Sequence, residues 1–143
     1  MEPESILDVH TDAENILALR TVPETHENLI CLGVALAGSA KRSEIEESVD
    51  ILEKVLKYTV HSEDSRVCVY YLALAHARLQ NYDKSVNLLN SLLGAEPSNK
   101  QATELRGVVL KKMKREGLLG LGLIGGAAAL VGGLVIAGFA LRK

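Results

Sequence analysis

Gly120, Gly122 and Gly125 spell G-x-G-x-x-G, the pattern in which glycines let backbone amides close around a pyrophosphate. The context excludes that chemistry. The motif follows a lysine-rich run rather than a strand, lies inside an uncharged apolar stretch, and leaves no room for a carboxylate about 20 residues on. His10, His26, His61 and His76 do not cluster, and no serine, cysteine or carboxylate has the spacing of a nucleophile with its base. No catalytic, metal or cofactor site is therefore expected, and an enzyme is not. Cys31 and Cys68 lack metal-ligand spacing and read as reduced, largely buried thiols of a cytosolic domain.

What remains is binding chemistry carried on helical faces, so the helices have to be placed. SVDILEKVL (Ser48 to Leu56) is echoed 37 residues later by SVNLLNSLL (Ser85 to Leu93), with four identical positions and with Ile51 against Leu88 and Val55 against Leu92 in register. A period of this size marks stacked supersecondary units. Ser43 and Glu46 form a capping box ahead of Ile45, Val49, Leu52 and Leu56, which predicts an amphipathic helix over 44–57. Asn81 caps the matching helix with its stripe of Tyr82, Val86, Leu89 and Leu93, and Gly94 with Pro97 stops it. A second helical run precedes each, at about 24–38 and 63–80, with Gly33 and Ala73 small enough for close helix approach. Each repeat is a helix pair.

Counted back from Pro97, residues 66–99 supply Val69, Leu72, Ala73, His76, Ser85, Leu89 and Pro97 at the defining places of the tetratricopeptide pattern of about 34 residues. The predicted fold is all-α: a tetratricopeptide-like bundle of about six helices, with repeats at about 25–57 and 63–97 and a capping helix over 99–116. An N-terminal run from Asp12 to Val22, capped by Thr11, covers the other end. Residues 1–10 hold too little apolar content to be fixed and read as a mobile arm. In such paired repeats the first helix of each unit lines a concave groove. Here those positions fall on Ile30, Cys31, Val34 and Ala37 in the first unit and on Tyr70, Tyr71, Leu74, Ala77 and Arg78 in the second. The groove would be mostly apolar with one arginine, suited to an apolar helix or extended segment. The same pattern is met if Tyr70, Tyr71 and Leu74 are simply core.

Gly117 to Leu141 contains 25 residues without a charge, eight of them glycine. As a helix it would reach roughly 37 Å, beyond the roughly 30 Å of a bilayer's hydrocarbon core. So much glycine is costly in a soluble helix and common in transmembrane ones. With only Arg142 and Lys143 after it, the segment reads as a tail anchor inserted after synthesis. Lys111, Lys112, Lys114 and Arg115 before the span outnumber that pair, which places the N-terminal domain in the cytosol. Gly122, Gly126, Ala129 and Gly133 make small-xxx-small pairs that admit close helix packing, and so a homo-oligomer. Residues 1–105 carry 17 acidic against 9 basic side chains, a balance of -8, whereas 106–116 carry five basic and one acidic. That polarity argues against nucleic acid and suits the basic collar to anionic lipid headgroups.

The two divergent repeats, YYLA, the Arg78-Leu79 pair, the NYDKS turn, AEPSN, KKMKREG and the glycine-rich GLLGLGLIGG together resemble the mitochondrial fission 1 protein family over about residues 25–143. The resemblance implies a six-helix bundle on the cytosolic face of the mitochondrial outer membrane, and on peroxisomes too. It further implies a receptor or adaptor for the machinery that recruits a dynamin-like GTPase, with an N-terminal arm able to fold over the groove. A tail-anchored chaperone or protein-import receptor and an all-helical apoptosis regulator are the alternatives. The first is disfavoured by the missing lysine-asparagine clamp, and the second by the absence of tryptophan and of its signature motifs.

Overall fold

The computed structural model describes residues 3–8, 10–59 and 62–117. These residues form six α-helices and no strand: α1 (Ala13–Arg20), α2 (His26–Ala37), α3 (Arg42–Tyr58), α4 (Ser62–Arg78), α5 (Tyr82–Ala95) and α6 (Lys100–Arg115), with a 3-10 turn at Pro3–Asp8. The pairs α2/α3 and α4/α5 are the two tetratricopeptide-like hairpins, α3 packs on α4 to stack them, and α6 closes α5.

Small residues at the helix crossings set this geometry. A Cβ on Gly33 would stand 2.6 Å from Leu52 Cδ2 and 2.8 Å from Leu52 Cγ, so only glycine lets α2 lie this close to α3. In the second hairpin the equivalent closeness is made by Ala73, fully buried, with the buried Ser85 hydroxyl donating to the Ala73 carbonyl at 2.8 Å. Ser48, its counterpart in the repeated nonapeptide, is likewise fully buried and donates to Ile45 O at 2.6 Å. A hydroxyl in this place is thus satisfied within the backbone and costs little. The main core joins Leu52, Leu72, Leu89, Leu92, Leu105, Val109 and Met113, so α6 is part of the same apolar mass as both hairpins.

Several caps differ from the sequence expectation. The helix α3 begins at Arg42, ahead of the supposed Ser43/Glu46 box, because Ser39 supplies the polar group: its hydroxyl accepts from Lys41 N at 3.0 Å and donates to the Glu44 carboxylate. Asp12, not Thr11, caps α1 through Glu14 N, and Thr11 instead gives its amide to Gly38 O at 2.6 Å. Asn81 stands at the N-terminus of α5 but makes no cap bond there. The helix continues through Gly94 to Ala95 before the turn at Pro97. Asn99 does cap α6, accepting from Ala102 N at 3.0 Å, and Gly117, with a φ of +72°, ends it in the left-handed conformation. Cys68 is buried as expected, but Cys31 is exposed because its position on α2 faces away from both α3 and α4 contacts that bury Ile30 and Gly33. No helix of the described residues is long and apolar enough to cross a membrane. The expected span lies beyond Gly117, outside the described residues, as do Gly122, Gly126, Ala129, Gly133, Arg142 and Lys143.

Two buried titratable groups tie the second hairpin together. His76, 5% exposed on α4, is kept neutral chiefly by burial, with the Lys84 charge adding, and its pKa falls to about 4. Tyr82 at the start of α5 is buried, and burial together with a hydrogen bond to Glu116 at the foot of α6 raises its phenol to about 12. On the outside, Arg20 grips both oxygens of Glu47 at 2.7 and 2.9 Å, fastening α1 to α3 and holding that carboxyl below its usual range.

Candidate functional site: the face of α2, α4 and α6

The first helices of the two hairpins and the capping helix share one face, with α2 against α4 and α4 against α6. On it Ile30 and Leu74, each 9% exposed, and Ala77 at 2% join the main apolar cluster, with Val34, Tyr70 and Tyr71 half-buried beside them. Tyr70 and Tyr71 meet edge to face, centroids 5.1 Å apart and planes at 83°, which fixes both rings on adjacent positions of α4. Burial, with the Tyr71 and Glu104 charges adding, raises the Tyr70 phenol above its ordinary value. The paired rings act here as rigid apolar surface with a hydroxyl rim.

Two predicted residues sit elsewhere. The Ala37 side chain is fully buried in a separate cluster with Ile45, Ala75 and Leu79, and the Cys31 side chain is solvent-exposed. Ala37 still serves the site through its main chain, because its carbonyl accepts from Arg78 Nη1 at 2.6 Å. Of the basic collar, Lys111, Lys114 and Arg115 are exposed and Lys112 is half-buried on the last turns of α6, at the end from which the chain continues toward the apolar segment.

Composition read residues 1–10 as a mobile arm, and the family resemblance alone implied that such an arm folds over the groove. The turn at Pro3–Asp8 lies against α4 and α6, Leu7 is 9% exposed and joins the main cluster, and Ile6 packs against it. Arg78, at the end of α4, holds this segment by its backbone: Nε donates to Leu7 O at 3.1 Å and Nη2 meets His10 Nδ1 at 3.0 Å. Burial lowers the Arg78 pKa, and the nearby Asp8 charge works against that shift. The guanidinium stays charged and donates to three acceptors, two on the N-terminal segment and one at the end of α2. The available signal was the adjacent Ile6-Leu7 pair in an otherwise polar stretch, too short to show a helical period.

The arrangement has the parts of a peptide-binding surface: an apolar floor, two fixed aromatic rings, one half-buried arginine, and a short segment already seated on them. No set of three or more His, Cys, Asp or Glu among the described residues could hold a metal.

Known proteins agree with this architecture. The family described as the Fis1 C-terminal tetratricopeptide repeat matches residues 66–118. The FIS1-related protein fis-1 of Caenorhabditis elegans is 69% identical over 143 residues, spanning the whole of both chains. The human Mitochondrial fission 1 protein is 37% identical over 109 residues, 76% of this chain and 71% of its own. The crystal structure of the fission protein Fis1 from Saccharomyces cerevisiae superposes with a TM-score of 0.71 at 21% identity, covering 81% of this chain and 94% of that one. Yeast Fis1 in complex with an Mdv1 fragment containing its N-terminal extension and coiled coil domains gives 0.69 at 22%, covering 77% and 91%. With a near full-length relative at this identity, a matching repeat family over α4 to α6 and the same six-helix fold, the chain belongs to the mitochondrial fission 1 family.

Proposed function

We propose that this protein is a non-enzymatic, tail-anchored adaptor of the mitochondrial outer membrane, and of the peroxisomal membrane as well. In this reading it promotes organelle fission by capturing, on the face of α2, α4 and α6, a helical segment of the machinery that recruits a dynamin-like GTPase. The observation that carries the reading is the N-terminal segment lying against this face: Leu7 belongs to the same apolar cluster as Ile30, Leu74 and Ala77, and its carbonyl accepts from Arg78, which supports a surface able to accept a short apolar segment. The yeast relative is known in complex with an Mdv1 fragment, which supports a partner of that kind.

The apolar segment 117–141 would hold the domain at the membrane, its basic collar Lys111, Lys112, Lys114 and Arg115 against anionic headgroups, with the helices on the cytosolic side. Gly122, Gly126, Ala129 and Gly133 would allow anchors to pair, which multiplies the grooves offered to one partner. Confinement to a surface raises the effective concentration of both sides, so even a weak groove works.

The test is co-flotation of a purified GTPase and its adaptor with vesicles that carry the full chain. Recruitment lost in a Val34→Ser, Tyr70→Ala variant, with the fold intact by circular dichroism, supports the reading. Equal recruitment by bare vesicles or by the variant refutes it.

A further inference from the structure

In the arm-closed state Arg78 uses its fork on three acceptors: Leu7 O, His10 Nδ1 and Ala37 O. Because a guanidinium only donates, the imidazole nitrogen facing it must be the unprotonated one, so His10 sits there as a neutral acceptor. Two of the three acceptors belong to the N-terminal segment and leave with it. All three are uncharged. Arg20, Arg42 and Arg66 each pair with a glutamate, whereas the acceptors that Arg78 meets among the described residues carry no charge. The Asp8 carboxylate acts on Arg78 only through its field. Among the described residues the half-buried guanidinium at the rim of this apolar face is thus held by neutral groups, although a carboxylate in the same place would make a shorter and roughly twice stronger bond.

We propose that Arg78 is the specificity-determining residue of the groove, and that the partner segment it selects carries an acidic side chain three residues after the second of two adjacent apolar residues. The proposal rests on the adaptor reading and adds to it the chemistry of the ligand. The arm itself is the template: Ile6 and Leu7 are the apolar pair, and His10, three residues after Leu7, occupies the place where the acid belongs. The segment is therefore an imperfect copy. Its neutral acceptor satisfies Arg78 well enough to keep the buried donors paired, yet yields to a ligand with a carboxylate, whereas an apolar segment with no acceptor at that place would strand the guanidinium. Exchange of occupants on one surface then discriminates partners by one charge.

The experiment uses the full chain in phospholipid nanodiscs with Ile6→Ser and Leu7→Ser introduced to free the groove. Two fluorescent, C-terminally amidated peptides copy residues 3–10 but end in Glu or Gln in place of His10. Fluorescence anisotropy is expected to show the Glu peptide binding about tenfold more tightly than the Gln peptide. The ratio should fall below about twofold when Arg78→Gln is added. Should circular dichroism show that Arg78→Gln disturbs the fold, Arg78→Lys takes its place, keeping the charge without the fork, and the ratio should still narrow. Equal affinities for the two peptides, or a preference that survives loss of Arg78, overturn this inference and leave the adaptor reading standing. Binding of neither peptide overturns both.

Discussion

Replacing Leu7 by alanine is the sharpest local perturbation of the groove, because it removes the apolar anchor of the N-terminal segment and nothing from the helices. Leu7 keeps 9% of its surface exposed, so the change withdraws close to three buried carbon groups from the main cluster. At about 0.8 kcal/mol each, closure of the arm weakens by roughly 2 kcal/mol, or about 30-fold in its closing equilibrium. Thr11 reports on that equilibrium, since its amide is protected by a 2.6 Å bond to Gly38 O at the root of the arm. A Cβ on Gly38 would collide with the Thr11 hydroxyl, so the two backbones meet closely there and separate together. Amide exchange followed by NMR on the full chain should show Thr11 accelerated by up to about 30-fold, while the amides of α4 and α5 keep their rates. An unchanged Thr11 rate would mean that the root holds without the anchor. Uniform acceleration through α4 and α5 would mean that Leu7 belongs to the global core, and either result refutes an arm that closes as a separate unit.

Two further perturbations follow from the packing. The His76 imidazole has a folded pKa of about 4 against an ordinary 6.5, so between those values the unfolded chain binds more protons. Its contribution is fully present above pH 6.5 and is lost as pH falls through 4, up to about 3 kcal/mol. Urea unfolding by circular dichroism at pH 7 and pH 4.5 should show the gap between the protein and a His76→Gln variant narrowing on acidification, and a constant gap would contradict the burial argument. Gly33→Ala should lower stability by about 1–2 kcal/mol despite its gain in helix propensity, because Leu52 has nowhere to move. Gly107→Ala, on an open face of α6, should raise stability by about 1 kcal/mol, and equal signs for the two glycines in thermal melts would refute the close α2/α3 crossing.

The hairpins were legible because burial there has a period: the repeated nonapeptides lie on α3 and α5, and Gly33 and Ala73 stand where helices cross. The caps were less so. Ser43 falls inside α3 rather than at its cap, and the turn between α2 and α3 brings the Ser39 hydroxyl to both Lys41 N and Glu44, a geometry that local propensity does not encode. The seat of the arm was implied by the family resemblance but not by its own residues, for a stronger reason. Leu7 is buried by surfaces of α4 and α6, helices that begin 55 and 93 residues further along the chain, and six residues cannot reveal a partner so distant. The same holds for Arg78, whose position at the end of α4 was readable from the repeat pattern but whose carbonyl and imidazole partners were not.

The central claim is that the face of α2, α4 and α6 is the working surface of a fission adaptor. It is tested most directly by imaging mitochondria in cells that lack their own family member and express either the full chain or the Val34→Ser, Tyr70→Ala variant at matched levels. The account predicts that both proteins coat mitochondria and that only the intact chain restores division, the variant leaving an elongated network. Equal restoration by the two proteins would contradict it and move the working surface off the groove.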